Sequence, residues 1–208
     1  MTKVYLLKNS NTLQNAYNYL DIKENENIKQ EKAILSCTGE ETAKNISQNK
    51  IFQKLDNIYS SNFISAISTA KYIAKENNIK INITTKLNER KNGDLETTTI
   101  KEYNYNSMHN FDYKLKNGES LNDTKKRISA YLKDILFQED DKVLIVSHEL
   151  AIISLLTNWC EIGYNYEDNL ILTYKDQVIY DNKFNCNEVY ILTFDGMNLQ
   201  NIEKEILL

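Results

Sequence analysis

Proline is absent from this 208-residue chain, glycine occurs five times and cysteine three times. With so little of either turn-former there is no linker-like or low-complexity tract to divide the chain. Cys37, Cys160 and Cys186 are odd in number, widely spaced and never arranged as CxxC. That pattern excludes a disulfide framework and a thiolate metal site, and reads as reduced, buried thiols. No apolar run approaches the roughly eighteen residues of a membrane-spanning helix, and the opening MTKVYLLKNSN lacks the apolar core of a signal peptide. A cytoplasmic chain with no membrane partner is expected. The net charge of −4 argues against nucleic acid as a partner, since a phosphate backbone needs a basic face. Arginine is scarce as well: Arg90 and Arg127 are the only two, against abundant Lys, Asn, Ile and Tyr. An AT-rich coding sequence explains the bias, but it has a chemical consequence. Any anion site here can draw on at most two bidentate guanidinium forks.

What is present is an ordinary globular composition, 41% hydrophobic and 26% charged, long enough to bury a core. Short β-branched or apolar runs mark strands at Val4 to Leu7, Ile34 to Ser36, Ile58 to Ser60, Ile81 to Thr84 and Val143 to Ser147. Three more follow late, at Leu170 to Tyr174, Val178 to Tyr180 and Val189 to Phe194. Between them, Glu40 to Ile51, Phe63 to Glu76, Ser120 to Gln138 and Glu149 to Trp159 carry apolar residues at helical spacing. The alternation predicts an α/β fold: a three-layer α/β/α sandwich with a mostly parallel central sheet and helices on both faces. The last strands lack intervening helices, which predicts an antiparallel sheet edge. Asp21 to Lys32 reads as a solvated helix or loop. Residues 97–117, rich in Tyr and Asn and without a sustained period, are expected to form a loop or cap on a single domain spanning 1–208.

In such a sheet ligands bind beyond the carboxyl ends of the strands. The first strand runs into Lys8-Asn9-Ser10-Asn11-Thr12, and KVLIVS runs into His148, at a strand-to-helix junction. Taken alone, His148 serves structure as readily as chemistry. No Gly-rich phosphate loop, HExxH or EF-hand pattern is present, so no metal and no cofactor is indicated.

Read together, these segments resemble the histidine phosphatase superfamily, the phosphoglycerate-mutase-like proteins. The family opens with a strand ending in Arg-His-Gly-Glu-Thr, which aligns with Lys8 to Thr12, and Asn15 stands where an Asn often follows. Leu35-Ser36 through Gly39, Ala43 and Ile46 is similar to "LS..G..QA..L". IYSSNFISAISTAKYIA (58–74) resembles "iySSpl.RA.qTA..ia", and LNERKNGDLE (87–96) resembles "l.E...G.wE". GESLNDTKKR (118–127) is similar to "GES..d...R", and VLIVSHELAII (143–153) to "vliVsHg..i". About six blocks fall in order over nearly the whole chain.

The departures fall at the reactive positions. The resemblance places the family's phosphate-pocket Arg, nucleophilic His, second Arg and second His at Lys8, Asn9, Ser65 and His148. Only His148 matches. Lys8 keeps a charge without the planar fork, Ser65 deletes one, and Ser10 adds a side chain where the family has Gly. Asn9 removes the group that would carry the phosphoryl, because an amide nitrogen has no useful lone pair. Relaxed selection on catalysis accounts for all four changes together. Glu89 stands where the family places its proton donor, or else it is kept for pairing with Lys8 or Arg90. The expectation is therefore a family member with vestigial Glu89 and His148, inactive in phosphoryl transfer. A degenerate pocket of Lys8, Asn9, Ser10 and Ser65 would bind a phosphorylated small molecule or other anion. A phosphatase using His148 and Glu89, and an interaction scaffold, stand as alternatives. The family includes dimers, so a homodimer is open. Arg127 is expected in a structural ion pair, His109 on the surface, and Tyr103, Tyr105 and Tyr113 either lining a cap or reflecting composition.

Overall fold

The computed structural model describes residues 1–13, 26–96 and 98–207. In chain order the elements are β1 (Thr2–Lys8), α1 (Glu26–Lys32), α2 (Cys37–Ser47), β2 (Asn57–Ser61), α3 (Ile64–Asn77) and β3 (Ile81–Thr84). They continue with α4 (Ile100–His109), α5 (Leu121–Leu136), β4 (Lys142–Ser147) and α6 (Glu149–Leu156). Last come β5 (Glu161–Tyr164), β6 (Leu170–Tyr174), β7 (Gln177–Asp181), β8 (Glu188–Asp195) and β9 (Asn198–Ile206). The main sheet has the order β3-β2-β4-β1-β8-β9. Its first four strands are mutually parallel, and β8 and β9 are antiparallel additions.

Side-chain alternation distributes the core between the two faces. Val4, Leu6, Val143 and Ile145 project to one face with Ile128, Leu132, Ile152 and Leu156 of α5 and α6. Tyr5, Leu7, Leu144 and Val146 project to the other with Ile46, Ala66, Ala70 and Ile73 of α2 and α3. Val143 to Ser147 of β4 is buried on both faces, which is why its sequence is a continuous apolar run rather than an alternating one. Each fully buried Leu, Ile or Val contributes about 1.5–3 kcal/mol by removal from water. The three-layer α/β sandwich is as expected, with its antiparallel edge.

Several details differ. Ile34 to Ser36 is not a strand: Leu35 makes one isolated bridge to Thr12, and Ser36 instead caps α2 by accepting from Gly39 N at 3.0 Å. Side-chain capping overrides the β propensity of Ile34 and Leu35 there. β6 and β7 do not join the main sheet but form, with β5, a separate antiparallel sheet of three strands. β5 and β9 have no counterpart in the sequence reading, because Glu161–Tyr164 is short and β9, a solvent-facing edge, is mostly polar. The 97–117 segment contains a true helix, α4, started by a capping box between Thr99 and Glu102. Of Asp21 to Lys32, residues 26–32 lie in α1, and the rest, like Asn15, falls outside the described residues. Cys160 is buried, but Cys37 is exposed on the first turn of α2. No helix among the described residues is long and apolar enough to cross a membrane.

The family-like blocks have plain structural reasons. In GESLNDTKKR, Ser120 and Asp123 form the capping box of α5, while Arg127 clasps both oxygens of Glu119 at 2.8 Å, the expected ion pair. Gly93 has φ +79°, a region closed to most side chains. Gly39 is required by crowding: a Cβ there would lie 2.0 Å from the backbone oxygen of Asn11. We expect Gly39→Ala to cost about 1–3 kcal/mol by overpacking, read as a lower urea midpoint at unchanged m-value.

His109 is on the surface as expected, yet it is held on every side. Its ring stacks on Tyr164 at 4.7 Å and lies 4.2 Å from Tyr105, joining α4 to the small sheet. Nδ1 faces Tyr105 O at 2.8 Å and Nε2 faces Asp168 Oδ2 at 3.2 Å. Both partners only accept, so both bonds require the imidazolium, which raises the His109 pKa through the Tyr105 carbonyl and Asp168. The stability this adds is complete below the unfolded pKa and disappears as pH rises through the folded one. The stability that Asp168→Asn loses relative to wild type should therefore be greater below the unfolded histidine pKa than at alkaline pH, where only the Tyr105 hydroxyl bond to Asp168 is still altered, as thermal melts at the two ends would read.

Candidate functional site

Because β1, β2 and β4 are parallel neighbours, their carboxyl ends share one rim, where Lys8, Ser61 and Ser147 close the strands. A cavity of about 220 Å³ opens at this rim. All six residues singled out in the sequence line it: Lys8, Asn9, Ser10, Ser65, Glu89 and His148.

Two contacts set the course of the chain leaving β1. Asn9 N donates to Ser147 O at 2.9 Å, continuing the β1–β4 ladder by one step. Ser10 N donates to Thr69 Oγ1 at 2.9 Å, and Thr69 Oγ1 in turn donates to Ser65 O at 2.8 Å. That relay ties the loop to the first turns of α3. It leaves the Ser10 hydroxyl fully buried at the cavity with no hydrogen-bond partner among the described residues. Ser65 is buried beside it. α3 has no side-chain cap, since its N-cap residue is Phe63.

His148 is the N-cap residue of α6 and is 6% exposed. Its Nε2 lies 2.8 Å from Ser61 Oγ and its Nδ1 lies 3.1 Å from Asn9 Oδ1. Ser61 commits its own proton to Asn88 Oδ1 at 2.9 Å, so it accepts from His148 Nε2. Nδ1 faces the Asn9 carboxamide oxygen, and that carboxamide is itself held by its Nδ2 donating to Ser10 O at 3.0 Å. Burial, reinforced by the positive charges of Arg127 and Lys8, pushes the His148 pKa down to about 3. At neutral pH the ring is uncharged and both nitrogens have close partners. Phe63 covers it, ring to ring, at 4.8 Å.

Glu89 pairs with neither Lys8 nor Arg90 through its side chain. Its carboxyl accepts from the α6 amides of Leu150 (3.1 Å) and Ala151 (2.9 Å), and from Arg90 N at 2.8 Å. It thus supplies the cap that the His148 side chain does not give α6. Burial raises its pKa against the pull of those amides and the Arg90 charge. Lys8 is drawn to Glu149, Nζ to Oε2 at 3.0 Å. Glu149 Oε1 is fixed from behind by Phe184 N at 2.9 Å and Tyr180 OH at 3.2 Å.

Neither arginine reaches the cavity. Arg127 serves Glu119, and Arg90 is 1% exposed, packed over the Tyr103 ring at 4.0 Å and bonded to Ser107 and Asn104. Of the three tyrosines considered for a cap, Tyr103 is core, while Tyr105 and Tyr113 border a separate surface groove along α4. Ser61, Asn88 and Glu149 are the participants that sequence reading passed over. The paired serines of IYSS were the signal for Ser61, whereas Glu149 and Asn88 gain meaning only when distant segments meet. Among the described residues no group of three or more His, Cys, Asp or Glu side chains is arranged to hold a metal ion.

Fold and site together define an α/β sandwich with a polar cavity at the carboxyl rim of its parallel strands, lined by a buried histidine. The family model for the histidine phosphatase superfamily (branch 1) matches residues 23–180. The chain belongs to that superfamily. The matched span begins after β1 and the Lys8-Asn9-Ser10 turn. No curated protein matches the chain. Among solved structures, it is similar to a mycobacterial glucosyl-3-phosphoglycerate phosphatase in complex with VO3, at TM-score 0.69 and 15% identity over 100% of this chain and 98% of that one. It is also similar to Bacillus stearothermophilus YhfR, at TM-score 0.65 and 21% identity over 96% and 95% of the two chains. A phosphoglycerate mutase from Bacillus anthracis str. Sterne matches at 0.59 and 18% identity over 85% and 90%. At such identities these likenesses speak for the fold.

Proposed function

We propose that this chain is a non-catalytic member of its superfamily, in which the former reaction site is kept as a small polar binding pocket. The observation that carries the reading is the Asn9–His148 contact at 3.1 Å. The resemblance places a carboxamide at the position of the nucleophile, and this carboxamide engages the one histidine that lines the cavity. Phosphoryl transfer through a covalent intermediate needs a nucleophile whose lone pair is free to stand in line with the leaving group. Here the one imidazole lining the cavity has neighbours on both nitrogens.

The alternative, a phosphatase working through His148 and Glu89, draws support from the raised pKa of Glu89, which suits a proton donor. Its geometry is against it. Three backbone amides converge on that carboxyl and favour its ionised form, which opposes keeping the proton that a general acid must donate. A general acid also supplies only about 10² to 10⁴ in rate. The scaffold reading leaves the polar lining of the cavity without a purpose.

The test is intact-protein mass spectrometry after quenched incubation with excess p-nitrophenyl phosphate. Unmodified protein at every time point is expected. A phosphoryl adduct that disappears in His148→Ala would overturn the proposal.

A further inference from the structure

We infer that the ligand of this pocket is an uncharged polyhydroxyl molecule, and that the pocket discriminates against the phosphomonoester of the same molecule. This rests on the binding reading above and adds the ligand's class.

The inference comes from the charges around the cavity. Among its described lining residues Lys8 is the sole cation, and Glu149 holds it at 3.0 Å. Glu149 cannot swing aside without abandoning Phe184 N and Tyr180 OH. His148 is neutral, and Glu89 adds negative charge or none. Both guanidinium groups are engaged away from the cavity, Arg127 by Glu119 and Arg90 by α4. A phosphate dianion would enter a partly dehydrated space whose one lining cation is already paired and on which Arg127 acts only from a neighbouring cavity, close to two carboxyl groups. Removing it from water would go uncompensated.

The uncharged lining is of the opposite character. Asn9, Ser10, Asn11, Gln30 and Ser65 bring hydroxyls and carboxamides to one small space. The Ser10 hydroxyl is the decisive group, buried with no partner among the described residues. A buried hydroxyl without a partner costs about 1–3 kcal/mol, and turning the Ser10 side chain into the cavity to meet a ligand hydroxyl would recover that loss. Groups that both donate and accept pair best with groups that do the same, which is the chemistry of a polyol or sugar. A volume of about 220 Å³ holds a molecule of that size, given about 30 Å³ per water displaced.

The test titrates the protein with three matched pairs: glycerol and glycerol 3-phosphate, myo-inositol and inositol 1-phosphate, glucose and glucose 6-phosphate. The chain has two histidines, so the ring resonances of buried His148 are readily told from those of His109. At least one uncharged probe should shift the His148 signals, with its phosphomonoester at least about tenfold weaker. Ser10→Ala should weaken the uncharged probe about tenfold by removing the unpaired hydroxyl. Glu149→Gln should release Lys8 and narrow or reverse the preference. Tighter binding of the phosphomonoester by wild-type protein would overturn the ligand class and leave the binding reading standing. Silence from all six probes would overturn both. Neither outcome depends on the variants folding, because the matched pairs are read on the wild-type chain.

Discussion

Wild-type protein should hydrolyse no phosphomonoester faster than its His148→Ala variant, whereas Asn9→His with Ser65→Arg should gain measurable turnover. The first half follows from what faces the cavity. Loss of a nucleophile in hydrolases with acid, base and binding groups otherwise intact removes about 10⁶ in rate. Here the binding groups have changed as well. Lys8 is bound to Glu149, Ser65 offers a hydroxyl where the family has a guanidinium, and both native arginines are committed to structural contacts.

The second half follows from what has not changed. The β1 turn is still pinned to β4 through Asn9 N and to α3 through Thr69, so a histidine at position 9 would start from an ordered backbone. An arginine at position 65 would stand on the first turn of α3, where the cavity is open to it and no side-chain cap is displaced. Glu89 still reaches the rim. Steady-state release of inorganic phosphate, followed from mildly acidic to neutral pH, reads both halves. Turnover in wild type that His148→Ala abolishes would show that the remaining histidine does chemistry without the family's nucleophile. A folded double variant with no gain would locate the loss in more than these two positions.

The fold was legible in the sequence because its signals are local. A strand such as Val143 to Ser147 announces itself by four consecutive buried apolar residues, and α5 by Ser120 and Asp123 at capping distance. Strand order alone placed Lys8, Asn9, Ser10 and His148 at one rim, since parallel strands put their carboxyl ends together, whereas Ser65 and Glu89 were implied there only by the family resemblance. The pairings within the rim did not follow. Lys8 and Glu149 are 141 residues apart, and nothing in either segment says that the lysine meets a carboxylate instead of a ligand. Glu89 was open as a proton donor or as the partner of Lys8 or Arg90, and its carboxyl is instead met by the amides at the start of α6, held rigidly by their helix. Backbone donors have no letter in the sequence, so a carboxylate that caps a distant helix cannot be read from it. β5 and the helix in 97–117 were missed for a related reason. Short elements with few apolar residues take their stability from neighbours, here the Tyr105–His109–Tyr164 stack and the packing of Tyr103 under Arg90.

The buried state of His148 should make the protein acid-sensitive in a way that a single substitution exposes. In the folded chain the ring ionises at about 3, against about 6.5 when unfolded. Between those values the unfolded chain binds a proton that the folded chain refuses. Stability is then full above about pH 6.5 and falls as pH falls towards about 3, at up to about 1.4 kcal/mol per pH unit. The total is on the order of 5 kcal/mol, a large share of a typical domain's stability. His109 acts with the opposite sign, because its folded pKa is raised, and its contribution is already complete below the unfolded value. It therefore adds no slope in the acid window. Carboxylates contribute there too, so the comparison must be between variants: His148→Gln, neutral at every pH, should lose about one proton's worth of slope between about pH 6 and pH 4. Urea unfolding at a series of pH values measures it, and the result is independent of how much the substitution costs at neutral pH. Equal slopes in the two proteins would mean that His148 is readily protonated in the folded state. In that event the cavity would hold a positive charge after all, and the case for an uncharged ligand would lose its footing.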